Sequence, residues 1–339
     1  MLQIESKPGN AGKSLEHFLT EETLSSKRAY NTNSEEILKG ISYLFCFIAV
    51  FFFSTNELVG KLIGDGVSPI MITASRFLIG SLILLPFALK HIKKSDSLLF
   101  WKDIWNISVP GLINVVGAML FLQLAIYYGK ASTSAILISS NPIFVFFLAA
   151  LILRERMSGG MIIGIILGLS GILFVIRGEL PSLTEGSNPA LGLFFGVLAS
   201  FTFALFTVLA KKQVLVYGNL LFNTISFCVG GIVLLVVSLL IGLDLSFDPT
   251  GINLFYIIYL ALFVTVGAYM LYFAGLKNIS TANGSMIFFL KPFIASGLSY
   301  LILGERISFL QFIGIVLILG GIQRCILEEK RAGRVRTTT

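Results

Sequence analysis

Charge is what this sequence has least of. Asp, Glu, Lys and Arg make up 13% of its 339 residues against 55% hydrophobic, and the mean hydropathy is +0.89. That balance excludes an ordinary water-soluble domain. Histidine is nearly missing too, since His17 and His91 are the only two and both fall outside the apolar stretches. With no zinc-protease, serine or cysteine constellation either, the chain is not expected to be an enzyme, and no metal or cofactor is expected. Cys46, Cys228 and Cys325 are odd in number and lie in or beside separate apolar stretches, which argues against a disulfide framework or a cysteine metal site. There is no Walker-type phosphate loop, so ATP would have to act through another subunit. The first 40 residues lack the positive start, short apolar core and small-residue cleavage site of a signal peptide. A net charge of +7 without a folded basic domain leaves nucleic acid an unsupported partner.

What fills the sequence is hydrophobic length. A bilayer core of about 30 Å needs roughly 20 apolar residues per helix, and ten such stretches occur near 41–61, 69–89, 107–127, 132–153, 159–177, 190–210, 219–241, 252–275, 281–303 and 307–326. Phe47 to Phe53 and Leu234 to Ile241 run apolar without the alternation of barrel strands, so the fold class is an all-α membrane protein of ten transmembrane helices. Lys and Arg fix the expected orientation. With the N-terminus inside, 19 of the 25 fall in tails and inner loops, from Lys7 through Lys90, Lys93, Lys94 and Lys102 to Arg336. Four, Lys61, Lys130, Arg177 and Arg306, fall outside. Both termini are therefore expected in the cytoplasm, in the cell (inner) membrane. Residues 1–40 read as a disordered tail, with Asn33 and Glu36 resembling a capping box near the start of the first helix. The basic segment 327–339 reads as a second cytoplasmic tail.

The stretches repeat at a spacing of 150. Leu151-Ile152-Leu153, Glu155, Arg156 and Ser158 recur as Leu301-Ile302-Leu303, Glu305, Arg306 and Ser308, and Pro142 falls on Pro292. Between Leu148 and Ile172, 14 of 25 positions match without a gap. Gly117-Ala118 continues the match on Gly267-Ala268, and at a spacing of 151 Lys61 falls on Lys212 and Gly80 on Gly231. Each half, 41–177 and 190–326 with 178–189 as an external linker, then holds five helices. Five is odd, so the second half enters from the opposite side, and two inverted repeats give the construction of an alternating-access transporter.

Here the sequence resembles the drug/metabolite transporter superfamily, and within it the EamA-type members with two five-helix repeats. Ser54 to Lys61 (STNELVGK) is similar to the family's first-helix pattern and Ala74 to Gly80 (ASRFLIG) to its Arg-Phe motif. The proline-centred fourth and ninth helices, each running into Glu155-Arg156 or Glu305-Arg306, carry the resemblance furthest. It implies a secondary active transporter of small metabolites, amino acids or related compounds with export favoured, whose substrate sits between the repeats. Uptake or exchange of nucleotide-like or phosphorylated metabolites is the alternative within transport, and a non-transporting receptor or scaffold the alternative outside it.

Ionisable side chains at membrane depth cost about 2.5–3.5 kcal/mol each and need a partner or a wet cavity. Glu57, Arg76 and Lys291 are three such groups, and Lys61 at a helix end can snorkel outward. Lys291 lies about 15 Å into its helix and precedes Pro292, whose ring removes a backbone bond and leaves a carbonyl free to face a cavity. The resemblance implies a glutamate at this position, so lysine reverses the sign. It either binds a substrate carboxylate or phosphate or pairs internally. Glu57 replaces the apolar residue the family has after the equivalent of Asn56. Depth counting lets it pair with Arg76 and leaves Lys291 roughly 9 Å away, and its readings are structural pairing or proton binding. The expected substrate site is Asn56, Glu57, Asn141 and Lys291, the charge-pair or coupling set Glu57, Arg76 and Lys291, and the helix kinks Pro142 and Pro292. Tyr269, Tyr272 and Phe273 read as pocket lining or as packing. Gly160, Gly164 and Gly168, with Gly314 and Gly321, form a small-residue ridge suited to close helix packing or a homodimer. The expected partners are a small-molecule substrate and the lipid bilayer.

Overall fold

Apolar backbone that cannot bond to lipid must bond to itself, and a helix does so within one segment. The computed structural model describes residues 10–95, 100–129, 131–154, 159–179, 189–248, 250–303 and 309–337, and among these the regular elements are helical. In chain order they are α1 (Asn10–Ile63), α2 (Pro69–Ser95), α3 (Trp101–Tyr128), α4 (Ser134–Leu153), α5 (Gly159–Glu179), α6 (Pro189–Tyr217), α7 (Asn219–Leu240), α8 (Gly251–Leu276), α9 (Thr281–Ile302) and α10 (Phe309–Thr337). Eight of them, α1 to α4 and α6 to α9, are long and apolar enough to cross a membrane, while α5 and α10 carry shorter apolar stretches, Gly159–Phe174 and Phe312–Gly321. This is a multi-pass membrane architecture. The repeated Glu155-Arg156 and Glu305-Arg306 motifs lie outside the described residues.

The N-terminal segment departs from expectation. Helix α1 starts at Asn10, so residues 10–40 are helical and Asn33 with Glu36 sits inside the helix instead of capping it. The stretch contains no proline to stop the helix.

Packing follows the spacing of 150. Helix α2 lies on α7 and α5 on α10, while α1 lies on α8 as α3 does on α6. Phe77 meets Phe227 at a ring separation of 5.0 Å and Phe53 meets Phe203 at 6.2 Å, each phenylalanine touching the one 150 residues away. Other contacts exchange mates. A Cβ on Gly80 would meet Thr265 at 3.1 Å, and one on its mate Gly230 would meet Val115 at 2.5 Å. One on Gly321 would meet the Gly164 carbonyl oxygen at 2.6 Å, and one on Gly171 that of Gly314 at 2.5 Å. The glycine ridges of α5 and α10 thus let these two helices approach within one chain. Gly230, at 150, is the structural mate of Gly80, in place of Gly231 at 151.

Two backbone irregularities recur in both halves. Ile113–Met119 of α3 and Leu260–Gly267 of α8 are π-helical, a winding common at functional sites. Each contains one of the matched glycines, Gly117 and Gly267. Helix α4 breaks at a turn through Ser139 and Ser140, and α9 tightens to 3₁₀ over Ile287–Leu290. Each break directly precedes a proline pair, Asn141-Pro142 or Lys291-Pro292.

Candidate functional site between the two halves

The breaks place polar groups where the halves meet. Pro142 takes a first-turn position of a new helical segment, where proline is tolerated. Its missing N–H would orphan the Ile138 carbonyl, and the Asn141 side chain donates to that oxygen at 2.9 Å. In the second half the Phe288 carbonyl, the one Pro292 releases, accepts the Lys291 backbone N–H. Neither carbonyl is left free, contrary to the expectation for a proline kink. Because Lys291 serves its carbonyl through the backbone, its side chain is released to reach across to α1.

There it meets Glu57. Lys291 Nζ donates to Glu57 Oε1 at 2.5 Å, with the two side chains 2% and 1% exposed. This pair joins the first half to the second. The mates of its members, Thr207 and Asn141, are neutral, so the charge is confined to one side of the repeat relation. The expected Glu57–Arg76 pair does not form. Arg76 instead donates from Nη1 to the Asn56 side-chain oxygen. Successive helical residues point about 100° apart, so Glu57 faces α9 while Asn56 faces α2. The Arg76 guanidinium also lies 5.1 Å from the centre of the Phe77 ring, a cation–π contact.

Asn56, Arg76 and Lys291 line a small cavity together with three pairs of repeat mates, Phe53 and Phe203, Met119 and Tyr269, Ile138 and Phe288. Residues of both halves in one lining put the cavity on the junction of the two halves. Its volume of about 10 Å³ holds roughly one water, so the halves are packed closely around it. Several buried polar atoms here have no hydrogen-bond partner within the protein: Asn56 Nδ2, Glu57 Oε2, Arg76 Nε and Nη2, and Asn141 Oδ1. Asn141 is fully buried; it is not among the residues that line the cavity. Tyr269 does line it and donates to Asn114 at 3.0 Å, whereas Tyr272 and Phe273 belong to the surrounding ring packing.

Contacts tie the two halves together at both ends of the junction. On the face holding the α1–α2 and α7–α8 connections, Val67 and Phe247 form a backbone bridge. Ser68 N–H to Ser246 O and Asp248 N–H to Gly66 O, each 2.9 Å, extend it. Beneath this bridge a vestibule of about 190 Å³, lined in part by Gly60, Lys61 and Gln123, sits one helical turn from Asn56 along α1. On the opposite face Tyr217, the mate of Val67, donates to Asp103 Oδ1 at 2.8 Å and accepts from Asn106 at 3.4 Å. The first helix of each half is tied alike: Lys61 donates to the Gly129 carbonyl at 3.1 Å and Lys211 to that of Ile279 at 3.0 Å. Lys211, not Lys212, is therefore the counterpart of Lys61, and Gly129 and Ile279 are themselves 150 residues apart. Tyr217, Asp103 and Lys211 escaped the sequence reading, although the spacing of 150 points to two of them, as the mates of Val67 and Lys61.

Comparison with known proteins agrees with this architecture. The model of the EamA-like transporter family matches twice, over residues 40–177 and 190–323. An uncharacterized transporter of Clostridium kluyveri is 34% identical over 282 residues, covering 82% of this chain and 91% of that protein. The uncharacterized transporter YetK of Bacillus subtilis is 28% identical over 278 residues, covering 82% and 84%. Protein PecM of Dickeya dadantii is 30% identical over 222 residues, covering 65% and 72%. A crystal structure matches with a TM-score of 0.69 at 18% identity, over 86% of this chain and 98% of that one, a likeness of fold.

Proposed function

Since the chain belongs to the EamA-like transporter family, with the family's domain present twice, we propose that it is a secondary active transporter of small metabolites. It works by alternating access around the cavity between its halves. The observation that carries this reading is the small cavity at the junction, walled by repeat mates and by buried charged groups that a purely structural junction does not need. Two inverted five-helix repeats, with α5 and α10 as the fifth span of each, are supported by the contacts that exchange mates. They are also supported by the pairing of the α1–α2 connection with the α7–α8 connection, which are the first loop of one half and the second loop of the other. The distribution of Lys and Arg supports cytoplasmic termini in the cell membrane, which makes the vestibule external and Tyr217–Asp103 the inner closure. Amino acids or related compounds are the substrates the family resemblance favours, with export as the direction. Nucleotide-like or phosphorylated substrates lose their main support, because the Lys291 amine is engaged by Glu57.

Counterflow in proteoliposomes tests the proposal: vesicles loaded with unlabelled solute take up labelled solute against its gradient if the protein exchanges it. Binding without counterflow for every class of amino acid, carboxylate, phosphate ester and cation would replace the transporter with a receptor.

A further inference from the structure

We propose that Arg76 is the receptor for a substrate carboxylate, and that the cavity, once the halves part and widen it beyond the water-sized space of this form, takes small monocarboxylates with an apolar body. The inference rests on the transport reading only in taking the central cavity as the solute site. Charge comes first. Lys291 and Glu57 neutralise each other at 2.5 Å, and among the described residues no carboxylate pairs with Arg76. The site therefore keeps one unmatched positive charge at a side chain only 1% exposed, and a monoanion completes it. Geometry comes next. Nη1 is taken by Asn56 and the ring of Phe77 lies against the guanidinium, while Nε and Nη2 have no partner in the protein. Those two N–H groups lie along one edge of the planar guanidinium, the fork that matches the two oxygens of a carboxylate. Buried donors left in this condition are costly, and a bidentate anion relieves both at once.

The walls define the rest of the ligand. Phe53, Phe203, Phe288, Met119 and Leu122 offer apolar surface and rings, so the body attached to the carboxylate is apolar. Lys291, the other cation at the site, has its amine engaged by Glu57. Asn56 holds the guanidinium and so acts as a positioning residue.

Benzoate is a suitable probe, with benzamide as its neutral counterpart, benzylammonium as its cation and phenyl phosphate as a dianion. Binding to purified full-length protein is read by calorimetry and by the rise of the unfolding midpoint with ligand concentration. Benzoate binds the wild type and the other three do not. Arg76→Lys, which keeps the charge and loses the fork, weakens benzoate by at least about tenfold. Asn56→Asp, which leaves Arg76 in place and supplies an internal counter-ion, abolishes binding and decides the matter if Arg76→Lys does not fold. The assignment is overturned by unchanged benzoate affinity in the folded variants. It is equally overturned by tighter binding of phenyl phosphate or benzylammonium, or by no response of the wild type to benzoate. Counterflow of other solutes without benzoate binding would leave the transport reading standing and remove the carboxylate. Benzoate binding without counterflow of any solute would do the reverse.

Discussion

Replacing Lys291 by Met removes one member of an ion pair whose side chains are 2% and 1% exposed, and it leaves Glu57 as an uncompensated charge between α1 and α9. Breaking a buried pair in this way costs about 3–5 kcal/mol, whereas replacing both members by neutral groups of similar volume is close to neutral. Lys291→Met and Glu57→Gln are each expected to lower the unfolding free energy by about that amount, and the double variant to lose much less than their sum. Converted at 1.36 kcal/mol per decade, the single changes shift the folding equilibrium roughly a hundred- to several-thousand-fold. Because the pair bridges the halves, part of this loss falls on the closely packed form itself. Transport by Lys291→Ala should be abolished although the protein still inserts, and the exchanged pair Glu57→Lys with Lys291→Glu should recover stability relative to either single change. Denaturant titration in micelles, followed by circular dichroism, completes the four-variant cycle. Additive losses, or wild-type stability in Lys291→Met, would refute the pair as a bridge.

Other substitutions probe the packing and the closures. Gly321→Ala places a Cβ 2.6 Å from the Gly164 carbonyl oxygen, while a Cβ on the neighbouring Gly320 meets nothing within 4 Å. The first should lower stability by about 1–3 kcal/mol and the second raise it by up to about 1 kcal/mol, as read by thermal unfolding. Asn141→Leu leaves the Ile138 carbonyl without its donor and should cost about 1–3 kcal/mol, with Asn141→Ala no better. Tyr217→Phe deletes the hydrogen bond to Asp103 and should raise the labelling rate of a cysteine placed at Ile138 by a reagent added from the Tyr217 face. An unchanged rate would mean that this bond does not hold the face shut.

Hydropathy sufficed to locate the apolar stretches, since helix length and lipid thickness are both fixed. Depth counting was less reliable because it assumes uniform α-helical rise. Ile287–Leu290 is 3₁₀ and climbs faster by a total of about 2 Å, which with two long side chains closes the 9 Å gap estimated between Glu57 and Lys291. The misassigned Arg76 partner has another cause. Asn56 and Glu57 are neighbours in sequence at nearly one depth, and only the helix's rotation decides which faces α2. The spacing of 150 held in three dimensions at Phe53, Phe77, Gly80 and Lys61, whereas the matches at 151, Lys212 and Gly231, followed residue identity and not equivalent surroundings. The π-helical turns of α3 and α8 shift backbone bonds and leave no side-chain signal apart from the paired glycines. The closures were hidden for a similar reason: Val67–Phe247 is a backbone bridge, and Tyr217–Asp103 joins residues far apart in sequence.

Pulsed electron resonance distances across the two faces test alternating access most directly. One pair of labels on Gly64 and Asp244 spans the bridged face, and another on Phe100 and Val216 spans the Tyr217 face, in proteoliposomes with and without a transported solute. Two populations are predicted, in which one distance lengthens as the other stays short, with the proportions shifted by solute. A single fixed distance at both faces under all conditions would contradict the account.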